Sequence, residues 1–123
     1  ALRADQSNGF PPYDIIRESD GRYRIVMAVA GFARSDIEIT VKENELKIRG
    51  NLASQDDSER TWLHRGIARR AFERTFKLAD HVEVDGAGLE DGLLTVTLNR
   101  IIPEEKKPRV IQVDGAPSPT KSN

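Results

Sequence analysis

An all-β antiparallel sandwich is predicted by three features of this chain. Apolar and polar residues alternate with a period of two in several short stretches, close turn signals separate those stretches, and 37% of the 123 residues are hydrophobic, enough for one core. Taken in order, residues 13–17 pass through the turn signal Ser19-Asp20-Gly21 into residues 22–30, where Tyr23, Ile25, Met27 and Val29 share a face. That pair reads as a hairpin. Ile37, Ile39 and Val41 then alternate with Glu38, Thr40 and Lys42, and Glu43-Asn44 turns the chain into Leu46 and Ile48, which alternate with Lys47 and Arg49. A third hairpin is marked by Asp91-Gly92, a strong two-residue turn signal between residues 82–89 and 93–98, with Leu94, Val96 and Leu98 on one face.

One stretch reads two ways. Within residues 67–81, Ala68, Ala71, Glu73, Arg74 and Lys77 are good helix formers and suit an amphipathic helix. The strand reading sets Phe72, Arg74, Phe76 and Leu78 on one face and Glu73, Thr75 and Lys77 on the other, which puts an arginine in an apolar row. Upstream, residues 50–60 (GNLASQDDSER) are polar and acidic and read as a loop. They lead to Thr61-Trp62-Leu63-His64-Arg65-Gly66-Ile67, a short apolar segment that its neighbours are poorly placed to cover. Residues 1–12, with Asn8-Gly9 and Pro11-Pro12, offer little to pack and read as a mobile arm, and residues 114–123 read as a disordered, solubilising end.

The charge balance, 19 Lys and Arg against 20 Asp and Glu, supplies no strong field toward nucleic acid or an anionic membrane. The absence of cysteine excludes disulfides, thiolate catalysis and Cys-ligated zinc. The longest apolar stretch, residues 25–30, is far short of the roughly 20 residues a membrane span needs, and the start ALRADQSNGF lacks a signal-peptide core, so a soluble, cytoplasmic protein is expected.

Chemistry-bearing clusters are sparse. His64 and His81 are not at metal-ligand spacing, and Asp56-Asp57-Ser58-Glu59 lacks the alternating ligands and glycine of a calcium loop. The Gly-x-Gly of GAGLEDG at 86–92 has its third glycine one residue late for a dinucleotide fingerprint and is followed by a strand. Arg60, Arg65, Arg69, Arg70 and Arg74 form a basic stretch, but Trp62, Phe72 and Phe76 make no stacking motif for nucleic acid. No catalytic, cofactor-binding or metal-ligating residue is assigned, no cofactor is expected, and no nucleophile–base pair is visible.

Several motifs together point to a family. In order they are Pro11-Pro12-Tyr13-Asp14-Ile15, Ala28-Val29-Ala30-Gly31-Phe32, Leu63-His64-Arg65-Gly66-Ile67-Ala68, Phe72-Glu73-Arg74-Thr75-Phe76, the AxxxxGxL run from Ala87 to Leu94, and the IPEEKKPRVIQV run at 102–113. In this order they resemble a bacterial small heat-shock protein of the Hsp20/α-crystallin family, of the inclusion-body-associated type. The resemblance covers residues 11–113. It implies an immunoglobulin-like sandwich, the α-crystallin domain, over residues 13–100, a C-terminal extension over 101–123, and a strand rather than a helix over 69–78.

The resemblance also implies an ATP-independent holdase that binds partly unfolded clients. Residues 61–67 would be exchanged with a partner subunit, with Trp62, Leu63, His64, Arg65, Gly66, Ile67 and Arg74 at the homodimer interface. Ile111 and Val113 of the tail would dock in a neighbour's groove formed by Ile37, Ile39 and Val41 on one strand and Val82, Val84 and Leu89 on the other, building larger oligomers. Arg74 matches the family's core arginine, for which a carboxylate partner is expected. Family members carry an aromatic-rich N-terminal arm; this sequence, opening on Ala1, has only residues 1–10 there, so a shortened arm is expected. A different class remains open beside the holdase: a sandwich adaptor that binds one defined partner.

Overall fold

Alternation sends every second side chain of a strand inward, and the described residues form eight strands in two stacked antiparallel sheets. The computed structural model describes residues 2–3, 9–52, 59–67 and 70–115. Its strands are β1 (Leu2–Arg3), β2 (Tyr13–Ser19), β3 (Arg22–Ala28), β4 (Ile37–Lys42), β5 (Glu45–Gly50), β6 (Phe72–Leu78), β7 (Val82–Glu90) and β8 (Leu93–Arg100). One sheet runs β1-β6-β5-β4, the other β2-β3-β8-β7. The all-β sandwich expected from the sequence is the fold.

The core lies between the sheets. In one, Tyr23, Ile25 and Met27 stand opposite Leu98, Val96 and Leu94; in the other, Leu46 and Ile48 stand opposite Phe76 and Arg74. Ile25, Met27, Leu46, Ile48, Phe76, Val96 and Leu98 are completely buried. Residues 72–78 form a strand, as the resemblance implied: burial alternates along it, with Arg74, Phe76 and Leu78 inside. Helix propensity loses here because β5 offers Phe72–Lys77 a continuous ladder that a helix would forgo.

Turn chemistry closes the hairpins. Asp91 and Gly92 both take positive φ, 56° and 76°, the pair of left-handed residues that a two-residue hairpin turn needs. Glu45 and Lys77 are direct cross-strand partners; Lys77 donates to the Glu45 carboxylate at 3.0 Å, and this hydrogen bond and charge hold that carboxyl below its ordinary pKa. The pair's contribution is therefore present above the ordinary carboxylate range and is lost as pH falls through the lowered value. Further along the same outer face, Arg49 reaches Glu38 and Glu73, each at 3.8 Å, and Lys47 reaches Glu73 at 3.4 Å. Each of these exposed pairs is worth about 0–1 kcal/mol, so the chain of charges serves solubility more than stability.

The N-terminal arm packs more than its composition suggests. Leu2 and Arg3 pair with Leu78 and Lys77 at the edge of β6, Pro11 is fully buried, and Phe10 packs against the core. The aromatic at position 10 and the imide ring at 11 supply apolar surface that a count of turn-forming residues overlooks. Beyond Gly115, the C-terminal end falls outside the described residues.

Gly50, which ends β5, is set by space rather than by φ. A Cβ there would lie 2.1 Å from Cε2 of Phe72, whose ring lies against the bare backbone. Gly50→Ala must push that ring out of its place, and it should destabilise the domain by about 1–3 kcal/mol. Thermal melting of the purified variant checks this; an unchanged melting temperature would mean that the ring gives way freely.

Candidate functional site: an edge groove, two exposed segments and a buried arginine

β4 and β7 end their respective sheets, and the sandwich brings these two edges over one another. Between them lies a cleft of about 420 Å³ lined by Arg34, Ile37, Ile39, Ala87, Gly88, Leu89 and Leu94. Of the six groove residues read from the sequence, Ile37, Ile39 and Leu89 line it. The other three do not. Val82 is 8% exposed and belongs to the core, Val84 is partly buried against that core, and Val41 is half exposed outside the lining. For Val82 and Val84 the reason is a register shift between Val84 and Gly86, which resets the alternation of β7. Beyond it Ala87 faces Val96, Leu89 faces Leu94, and the cleft opens. Arg34, Ala87, Gly88 and Leu94 were missed. The Gly-x-Gly at 86–88 was the available signal, since glycines inside a strand mark a bulge or close approach of another backbone.

The tail leaves the domain at a defined point. Ile101 N–H donates to His81 O at 2.7 Å, and a single 3-10 turn at Glu104–Lys106 follows, with Lys107 Nζ 3.3 Å from Glu104 Oε1. After Pro108 the chain stands clear of the domain: Val110, Ile111 and Val113 are 97%, 65% and 91% exposed. Ile111 and Val113 are thus not brought to the groove of their own subunit. Val110 adds a third exposed apolar side chain beside the motif.

Residues 61–67 form no strand within the single chain. Leu63 and Ile67 are largely exposed, Trp62 is about one-third exposed, and the guanidiniums of Arg65 and Arg60 lie 4.4 and 5.9 Å from the centre of the Trp62 ring. Gly66 sits against the His64 imidazole. The first part of the connection, residues 53–58, lies outside the described residues, as do Ala68 and Arg69. Among the described residues, no group of three His, Cys, Asp or Glu side chains could hold a metal ion, and no helix is long and apolar enough to cross a membrane.

Arg74 is 4% exposed within the subunit itself. Its Nη2 donates to Pro11 O at 3.0 Å, and its guanidinium lies over the Tyr13 ring at 4.9 Å, while that ring meets Phe76 edge-on at 5.2 Å. A backbone oxygen and an aromatic face are thus among the groups that receive this guanidinium. Within the subunit the arginine holds the base of the N-terminal arm. Arg74→Ala removes a charge-assisted donor, leaves the buried Pro11 carbonyl unmatched and opens a hole beside Tyr13. It should lower stability by about 2–4 kcal/mol, as measured by denaturant unfolding. Arg74→Lys should recover only part of this, since an ammonium lacks the plane that lies on Tyr13.

Residues 15–114 match the model of the Hsp20/alpha crystallin family. The chain is 47% identical over 116 residues to the small heat shock protein IbpA of Serratia proteamaculans, covering 92% of this chain and 84% of that one. To IbpA of Escherichia coli O1:K1 it is 50% identical over 110 residues, covering 89% and 80%. Among solved structures, a C-terminally truncated small heat shock protein AgsA from Salmonella typhimurium superposes with a TM-score of 0.66 at 32% identity, covering 84% of this chain and 98% of that one. A small heat shock protein from Synechococcus phage S-ShM2 superposes with a TM-score of 0.67 at 35% identity, covering 85% and 99%. With four-fifths of its length inside the family model and about half of the aligned residues shared with IbpA proteins, this chain belongs to the Hsp20/alpha crystallin family.

Proposed function

We propose that this chain is an ATP-independent holdase of the cytoplasm, which captures partly unfolded proteins and works as a strand-exchanged homodimer that assembles further through its tail. The family is one of non-enzymatic chaperones. The observation that carries the finer reading is a match within one chain: an apolar cleft between two open sheet edges, and a tail whose apolar side chains stand in solvent.

The fit is one of spacing. In an extended tail, Ile111 and Val113 point the same way about 7 Å apart, the same two-residue repeat that separates Ile37 from Ile39 and Ala87 from Leu89. Pro103 and Pro108 remove amide donors on either side of the tether, which makes a single 3-10 turn at Glu104–Lys106 and goes no further as regular structure before Pro108. Burying both side chains yields roughly 3–6 kcal/mol, and ordering the tether takes back part of it. A single tail therefore binds weakly and exchanges readily, and a stable assembly needs several tails at once.

Strand exchange has a similar support. Residues 61–67 carry Leu63 and Ile67 in solvent and belong to no strand, while β2 is the outermost strand of its sheet among the described residues and bears a partly exposed Ile15. Pairing these across two subunits satisfies both. The same exposed edges and apolar side chains are what a holdase needs to intercept an unfolding chain before it meets another.

Two measurements test the reading. The protein should suppress light scattering by several unrelated proteins during heat denaturation, without nucleotide; protection of none of them would sink the holdase and favour an adaptor for one partner. Replacing Ile111 and Val113 together by Ala should reduce any large oligomer to dimers while the domain's melting temperature holds. Size-exclusion chromatography with light scattering reads the mass, and a double mutant that keeps the parent's mass would rule out docking by the tail.

A further inference from the structure

The N-terminal arm and both roots of the loop at 51–71 meet at one corner of the sandwich, and Phe10 stands at their junction. Its ring meets Phe72 edge-on, with centroids 6.0 Å apart and planes at 82°, and the Arg70 guanidinium lies 4.9 Å from its centre. Arg70 and Phe72 are where the chain returns from the loop. The Phe72 ring in turn covers Gly50, where the chain departs, so closely that no Cβ fits between them, and meets Phe32 edge-on at 5.4 Å. Immediately after Gly50, the Asn51 N–H is tied to Asp36 O at 2.8 Å, and the buried Asp36 accepts from Ala33 N–H through Oδ2 at 2.8 Å. Phe10 thus touches the returning root directly and reaches the departing root through a single ring.

We propose that Phe10 is a positioning residue for residues 61–67: seated on Phe72 and Arg70, it fixes both roots of the loop and so the direction in which the exchange segment leaves the domain. When Phe10 withdraws, Phe72 loses one of the two rings that brace it over Gly50, and both roots loosen together. Any event that draws the arm away, such as its engagement with another chain, is thereby transmitted to the dimer contact. The arm is well placed for this, because its next contacts, Pro11 O and the Tyr13 ring, go to Arg74 and Phe76 in the core and hold the arm's base while residue 10 moves. The inference rests on the strand-exchange reading for its consequence, though not for its geometry.

The test compares the full chain with Phe10→Ala and Phe10→Leu by amide hydrogen exchange, together with the rate at which differently labelled subunits mix. Losing one aromatic pair and one cation–π contact should speed exchange at Asn51, Leu52 and Ala71 on the order of tenfold in Phe10→Ala, with the β3–β8 amides of Ile25 and Val96 unchanged. Subunit mixing should accelerate in step. Phe10→Leu, which refills the space, should keep most of the protection. Unchanged loop-root amides, or an equal speeding of the β3–β8 amides, would overturn the positioning role. A chain that is monomeric at all concentrations would instead remove the strand-exchange reading, while the root amides still decide the role of Phe10.

Discussion

Backbone amides and carbonyls along an outermost strand have no partner within their own sheet, and left in water they invite pairing with any extended chain nearby. Two open four-stranded sheets cannot avoid this. In this molecule each edge meets the problem differently. The β6 side is partly covered by the two residues of β1; β4 and β7 are brought together over an apolar cleft; β2 remains open. Closed barrels abolish edges altogether. A protein that is to bind extended chains needs some of them open, and the proposed dimer and tail contacts are ways of occupying the same edges with the protein's own segments.

The charged faces make the edges the favoured route. The outer face of β4-β5-β6 carries Glu38, Lys47, Arg49 and Glu73 in a continuous run of ion pairs, which would have to be desolvated by anything laid flat upon it. Gly86 and Gly88 of β7, by contrast, open onto empty space, where no side chain blocks another backbone. The bulge beside Gly86 twists the strand so that Ala87 and Leu89 serve the cleft while Val82 stays in the core. One irregularity thus divides a single strand between stability and binding.

Period-two alternation and the Asp91-Gly92 turn made the sandwich legible, because both act over a few residues and depend little on tertiary context. The helix-forming composition around 68–77 was overridden by pairing with β5, a long-range contact that no local propensity carries. The groove was half legible. The resemblance named Ile37, Ile39 and Leu89, which line the cleft, but a one-residue register shift on β7 leaves Val82 and Val84 out of it, and a bulge changes which side chains face inward without changing composition. Arg74 was correctly placed among apolar residues on its strand face. Its bond to Pro11 O was beyond sequence, since a backbone carbonyl carries no residue identity.

The buried arginine has a consequence for how the arm and the domain share their stability. Arg74 is held from a strand in the middle of the chain, but what it holds, Pro11 O and the face of Tyr13, belongs to the segment where the arm becomes β2. Removing a buried donor leaves its acceptor unmatched, so neither partner can be given up at little cost. The base of the arm is therefore tied to the core, whereas the next attachment described, the partly buried ring of Phe10, has contacts each worth on the order of 1 kcal/mol. Contacts of that size are populated most of the time and broken some of the time. The proposed tail docking, a few kcal/mol less the ordering of a tether, would be similarly reversible. A molecule whose attachments are each weak can rearrange an assembly without unfolding its domain, and for the proposed nucleotide-free holdase this would be the way to expose binding surface and cover it again.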